Sequence, residues 1–353
     1  MKITKLVSTL ALITVLFASC SSESVVLPKG DYETGFLISG EGSSAGTGSV
    51  SFVSNDFDLV ENLIYKKVNL NELGSFLQSI AFDDDKAFIV VDNQNTITVV
   101  DRYTFEKRGE ITTNLFTPRY MAVSGNKGYV TNWGSASDAT DDFIAVVNLD
   151  SNMVERMIPV GNGPERIIEN NGKLYVSHKG ASTTNNIVSV IDIASEVVQE
   201  VIVKDNPDEL FFNNQGQLVV LSSGRTIYDA NWNVTGNTLG SISMIDVASL
   251  AVSNELVFAS GEHPSLMVLE NDTIYYNIGN NVYAINDTAT SLSNTSIIEA
   301  EGYFYGIEVQ GDALFTLNAN FSDVSVLNVY SIETKAKTQS KEVAVGASKI
   351  YFN

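Results

Sequence analysis

Few side chains in this chain can do chemistry. Its 353 residues include two histidines, two tryptophans and one cysteine. His178 and His263 are too few for a Cys/His metal site. An acyl-transfer triad would need one of them beside an activated nucleophile, and no strand-to-helix elbow around a serine is present. No catalytic residue, no metal ligand and no prosthetic group is expected. The acidic runs Asp83-Asp84-Asp85 and Asp141-Asp142 lack the ligand spacing of a calcium loop and read as solvated turns. What remains is binding chemistry. Trp133 and Trp232 offer aromatic faces, Tyr120, Tyr228 and Tyr305 a ring with a hydroxyl, and Arg119, Arg166, Arg225 and His178 polar heads. Aromatic faces beside hydrogen-bonding groups suit a flat ligand fringed with amides.

The charge narrows the partners. Lys+Arg number 21 and Asp+Glu 42, a formal net charge of −21. Nucleic acid needs basic neutralisation of its phosphates, so it is excluded as a partner. An anionic lipid surface is excluded as a direct partner for the same reason. With 44% hydrophobic and 18% charged residues the chain can bury a core, which excludes wholesale disorder.

The amino terminus reads as an export signal over residues 1–19. Lys2 and Lys5 form a basic start, and 6–17 is an apolar stretch too short to span a bilayer comfortably. Ala18-Ser19 then precede Cys20, the sole cysteine, which is the candidate lipidation site. Cleavage there removes both lysines, leaving the mature chain two charges more negative. Residues 20–34, with Pro28 and Gly30, read as the lipidated cysteine and a flexible tether.

Residues 35–353 read as a repeat array. Short apolar strands alternate with Gly/Asn/Asp/Ser turns, and no helical period is sustained. Pro118-Arg119-Tyr120-Met121-Ala122-Val123 is followed by a turn and by Gly128-Tyr129-Val130-Thr131-Asn132. Pro164-Glu165-Arg166-Ile167-Ile168, a turn and Leu174-Tyr175-Val176-Ser177-His178 repeat that order. Further units open at Pro207 and Pro264, and degenerate ones run over 77–112 and 302–346. The strands at 36–39 and 48–53 lack an innermost neighbour, which 348–352 can supply. Seven units of roughly 45 residues match four-stranded blades. The expected fold is therefore an all-β, seven-bladed β-propeller closed by pairing of the C-terminal strand with the first blade.

That fold places the candidate residues. Loops entering each innermost strand share one face with the loops between second and third strands. The entering pairs Arg119-Tyr120, Glu165-Arg166, Asp208-Glu209 and Tyr305-Gly306, among seven such pairs, are expected to ring the channel mouth. Longer loops at 132–143, 177–187 and 222–240 sit on consecutive blades and carry Trp133, His178, Arg225, Tyr228 and Trp232. The candidate ligand-binding set is Arg119, Tyr120, Trp133, Arg166, His178, Arg225, Tyr228, Trp232 and Tyr305. Two other roles stay open: the tryptophans pack under their own loops, and Arg119 and Arg166 pair with Glu165, Asp208 or Glu209.

Tyr129-Val130-Thr131-Asn132, and Ile158-Pro159-Val160-Gly161 with Pro164-Glu165, resemble the Tyr-Val-Thr-Asn class of bacterial β-propellers. The lipoprotein-like start, Gly40-Glu41-Gly42, Gly48-Ser49-Val50-Ser51 and Pro118-Arg119-Tyr120 resemble a surface-lipoprotein branch of that class. Phe17 departs from the leucine usual in the lipoprotein cleavage site. The branch includes seven-bladed cobalamin-capturing lipoproteins that sit over the vitamin's outer-membrane transporter. The resemblance implies a lipid-anchored protein of the outer membrane, facing the exterior and touching the membrane through its anchor alone. It implies a binding protein and not an enzyme, with a cobalamin-like corrinoid nutrient as ligand and a TonB-dependent receptor as partner. The alternatives are a protein-binding or surface-layer propeller and a channel-mouth hydrolase that uses Glu165, Asp208 and Glu209 around a metal. The sole cysteine at a small-residue site predicts lipidation of Cys20; mass spectrometry of the mature amino-terminal peptide checks it, and an unmodified thiol there or cleavage elsewhere refutes it.

Overall fold

A computed structural model describes residues 28–43 and 48–353; the expected signal peptide and Cys20 lie outside the described residues. Among those residues, seven antiparallel four-stranded sheets stand around a channel. Their innermost strands are Leu77–Asp83, Pro118–Ser124, Pro164–Asn170, Pro207–Phe212, Met267–Glu270, Phe304–Gln310 and Ala347–Phe352. The last of these belongs to the blade that opens with Gly35–Gly40, so both chain ends build one sheet. Its register pairs Phe36 with Phe352, Ile38 with Ile350 and Ser39 with Lys349. The seven-bladed, end-closed all-β fold expected from the repeats is the fold observed.

The strand sequences follow from where each strand sits. Middle strands are covered on both faces, so they read as unbroken apolar runs: Ala87-Phe88-Ile89-Val90-Val91 is wholly buried. Outermost strands keep one face in water, and Met153–Pro159 buries only Val154 and Ile158. A separate apolar cluster fills each interface between blades. At the closing interface Phe36 meets Phe315 and Phe352 with ring centroids 5.5 and 5.6 Å away.

Two departures from the sequence reading concern the first blades. A six-residue helix, Ile64–Asn69, links the first blade to the second and buries Ile64 and Tyr65. The ordered body also begins before residue 35. Tyr32 is 3% exposed, lies between Phe52 and Phe105, and donates its hydroxyl to Glu61 at 2.7 Å. Residues 28–34 therefore belong to the propeller and not to a flexible tether, because an aromatic ring there has a pocket to fill.

Most innermost strands begin with a β-bulge. The ladder registers shift between Pro118 and Met121, Pro164 and Ile167, and Pro207 and Leu210. Arg119-Tyr120, Glu165-Arg166 and Asp208-Glu209 are the residues so released. Hydroxyls of the second strands satisfy the loosened backbone. Thr131 Oγ1 accepts from Tyr120 N–H at 2.9 Å and donates to the Glu165 carbonyl at 2.8 Å. Ser177 Oγ accepts from Arg166 N–H at 3.2 Å. Asn132 accepts from Phe116 N–H at 2.9 Å, as Asn318 does from Tyr303 N–H at 2.8 Å. A chain ending at Gly346 loses the burial of Ile350, Tyr351 and Phe352, each worth about 1.5–3 kcal/mol. Truncation there is expected to cost at least about 5 kcal/mol in urea unfolding; an unchanged midpoint refutes the closure.

Candidate ligand site at the channel mouth

The bulges turn charged residues of neighbouring blades toward one another. Arg119 binds Glu165 through Nε and Nη2, both at 3.0 Å, and reaches Asp92 through Nη1 at 3.0 Å. Arg166 bonds to Asp208 at 2.9 Å and also to Glu209. Lys179 meets Asp208 at 2.6 Å, and Lys349 meets Glu209 across the channel at 3.5 Å. The guanidinium carbon of Arg119 lies 3.9 Å from the Trp133 ring centroid, and that of Arg166 lies 4.3 Å from Tyr120. Planar, weakly hydrated guanidinium suits both the paired carboxylates and the aromatic faces.

Burial sets the protonation of this network. It opposes charge on Arg119 and Arg166, but Glu165 and Glu209, the nearest partners, reverse the balance and hold both well above the ordinary range. Burial would raise the Asp208 carboxyl; Lys179 and Arg166 outweigh it and hold it well below the usual range. Burial lowers Lys349, with Arg166 adding to the effect. It raises Asp92 against the pull of Arg119, and raises Glu41 despite the hydrogen bond from Tyr305 at 3.0 Å.

Above these groups opens a cavity of about 660 Å³. Of the expected ligand-binding residues, Arg119, Tyr120, Trp133, Arg166 and Tyr305 line it. Both open roles of the arginines hold together, since each lines the cavity while paired. Trp133 is in the wall, and its indole Nε1–H is buried without a partner among the described residues.

The other four candidates are elsewhere. His178 does not face the cavity. It is fully buried, with Nε2 2.8 Å from Ser189 Oγ and Nδ1 3.3 Å from the Asn162 carbonyl. Burial pushes it down to about 4, so it is a neutral structural imidazole. It stands in register where Asn132 stands in the preceding blade. Arg225, Tyr228 and Trp232 belong to an inserted hairpin, Arg225–Tyr228 paired with Val234–Thr238. Arg225 is tied to Asp205 at 3.1 Å. Tyr228 is 50% exposed and Trp232 82% exposed at the tip, their rings 5.9 Å apart. A long loop predicted to wrap the mouth is instead a ribbon that carries its aromatics outward.

Sequence reasoning passed over Glu41, Asp92, Lys179, His263 and Tyr303, all in the cavity wall. Asp92, Trp133 and Lys179 follow the second strands of three consecutive blades at matching register. That equivalence was the available signal; Trp133 drew notice through its type alone. His263 joins wall and hairpin, with Nδ1 2.8 Å from the Ser223 carbonyl and Nε2 3.0 Å from Asn237 Oδ1. Asp142, expected in a solvated turn, is buried, accepts from Gly163 N–H at 2.9 Å, and is pushed up to about 6 by burial. Among the described residues no group of three or more His, Cys, Asp or Glu is placed to hold a metal ion.

A ring of four-stranded antiparallel blades around a central channel defines a β-propeller. The family described as "Domain of unknown function (DUF5074)" matches residues 34–307, and the chain belongs to it. No curated protein matches the chain. Among solved structures, dihydro-heme d1 dehydrogenase NirN in complex with DHE is similar over 92% of this chain and 78% of its own, at TM-score 0.57 and 12% identity. Hydrazine synthase of Kuenenia stuttgartiensis covers 76% of this chain and 87% of its own, at TM-score 0.54 and 18% identity. Apo AztD from Citrobacter koseri covers 89% and 96%, at TM-score 0.52 and 11% identity. At these identities the likeness is one of fold.

Deeper in the channel, three residues past Tyr305, burial pushes the Glu308 carboxyl up to about 7. Its hydrogen bond is from its neighbour Val309 N–H at 3.0 Å. With the folded value above the unfolded one, the ionised form is the costly one. The cost is absent below the ordinary carboxylate value, grows as pH rises, and is complete above about 7. Glu308→Gln should therefore stabilise the protein by about 1–3 kcal/mol at pH 8 and much less at pH 5. Equal urea midpoint shifts at both pH values would contradict this.

Proposed function

We propose that the protein captures a small ligand at the channel mouth and is displayed for that purpose on the outer membrane through a lipid on Cys20. One observation carries the capture reading. The Trp133 indole stands in the cavity wall with the Arg119 guanidinium carbon 3.9 Å from its ring centroid, a fixed aromatic beside paired polar groups. The cavity volume of about 660 Å³ is in the usual range for small-molecule sites.

The resemblance to cobalamin-capturing lipoproteins makes a corrinoid the proposed ligand. A corrinoid is broad, flat and rimmed with neutral amides. It covers such a mouth, with Tyr120, Trp133 and Tyr305 as aromatic contacts, and its amides neither need a cation nor are repelled by net negative charge. A TonB-dependent receptor is the proposed partner that takes the ligand onward. The exposed Tyr228–Trp232 pair on the same face supports a contact with such a partner, since exposed aromatics are the residues that interfaces bury. A hydrolase reading is weaker: Glu165, Asp208 and Glu209, the carboxylates a metal would need, are each tied to a cation.

Calorimetry with cyanocobalamin tests the ligand. Trp133→Ala is expected to weaken binding about 30- to 1,000-fold, the effect of removing a buried aromatic hot spot, and Trp232→Ala to leave it nearly unchanged. No binding by the wild-type protein at micromolar concentration ends the corrinoid reading; binding indifferent to Trp133→Ala moves the site.

A further inference from the structure

The carboxylates at the mouth are not all paired. Arg119, Arg166, Lys179 and Lys349 are each paired with a carboxylate, so an anionic ligand competes there with a partner already bound. Glu41, on the blade that also carries Lys349, has no ion-pair partner among the described residues. Its Oε1 accepts from the Tyr305 hydroxyl at 3.0 Å, and its backbone is clamped at both ends. Glu41 N–H donates to the Gly346 carbonyl at 2.9 Å, and its carbonyl accepts from Phe76 N–H at 2.9 Å.

Aromatic faces surround this carboxylate. Tyr303 and Tyr305 stack with centroids 5.4 Å apart, and Phe321 meets Tyr305 edge-on at 5.5 Å. Tyr303 lines the cavity and is 59% exposed, so a ring face is open to an occupant. Asn280, also in the wall, gives its Nδ2 hydrogens to the carbonyls of Ala300 and Gly302 at 3.1 and 2.8 Å. Its Oδ1 accepts no bond among the described residues. This part of the wall thus offers a carboxylate, an amide oxygen and π-faces, all of which attract positive charge and N–H donors.

We infer that Glu41, Tyr303, Tyr305 and Asn280 form a subsite at the mouth for a protonated amine, a group the neutral amide rim of a corrinoid does not supply. The inference rests on the mouth being a capture site and specifies the charge of the group bound there. A cation enters over the Tyr303 face, donates to Glu41 and Asn280, and gives Glu41 the direct ion-pair partner it lacks among the described residues, where Arg119 and Lys349 act on it only from a distance.

Three probes sharing one ring test it: benzylammonium, benzamide and benzoate, titrated by ligand-observed NMR at pH 8 into the full chain. The expected order is benzylammonium tightest, benzamide weaker, and benzoate without binding. Glu41→Gln should weaken benzylammonium about tenfold and leave benzamide within about twofold. Tyr303→Leu, at an exposed position, should weaken benzylammonium by several-fold while keeping the wild-type melting temperature. Benzoate binding as tightly as benzylammonium, benzamide equalling it with no effect of Glu41→Gln, or binding by none of the three overturns the inference. The cyanocobalamin titration reads the capture site separately. Corrinoid binding without ammonium binding therefore sinks the subsite and spares capture, and ammonium binding without corrinoid binding spares the subsite and ends the corrinoid reading.

Discussion

At the start of an innermost strand, two residues of one chain stand opposite too few partners on its neighbour, and their backbone groups leave the ladder. Buried amides and carbonyls left in that state would destabilise the sheet. Thr131 and Ser177, one strand outward, answer with hydroxyls that bond the displaced backbone. With the backbone satisfied, the bulge costs little and turns Arg119, Glu165, Arg166, Asp208 and Glu209 toward the mouth. The same polar residues that mark the repeat in the sequence are those that make the bulge tolerable in the fold.

The charges so gathered tie blades together at the point where apolar packing ends. Arg119 links three consecutive blades through Asp92 and Glu165, and Arg166 extends the link through Asp208 and Glu209. Lys349, on the closing strand, reaches the same Glu209. Buried pairs of this kind cost desolvation energy that their attraction roughly repays, so they add definition more than net stability. Their consequence for binding is a wall with held side chains and few uncommitted charges. A protein of formal charge −21 thus keeps four cations at its mouth, each paired with a carboxylate.

The cavity and the hairpin are separate surfaces joined by one residue. His263 lines the wall and bonds to Ser223 and Asn237 at the hairpin base. The tip carries Trp232 at a positive φ of 63°, a conformation a bulky residue adopts at a cost. An exposed tryptophan held that way contributes nothing to the core.

The sequence by itself determined the ring. Strand length, turn spacing and the missing innermost strand are local or count-based properties, and each blade repeats them. It also marked Arg119, Tyr120, Arg166 and Tyr305, because repeat position maps directly onto channel position, and Trp133 by its residue type. Only the tertiary structure decided the rest. His178 looked like a loop residue because a register position reveals nothing of which way a ring turns; Ser189 and Asn162 turn it inward. Trp232 looked like a mouth residue because loop length does not say whether the chain folds over the cavity or pairs with itself. Asp92, Lys179 and Glu41 went unmarked, because only the meeting of neighbouring blades puts them in the cavity wall. Burial, pairing and the balance of charge in the mouth arise from contacts between blades far apart in sequence, and no single repeat contains them.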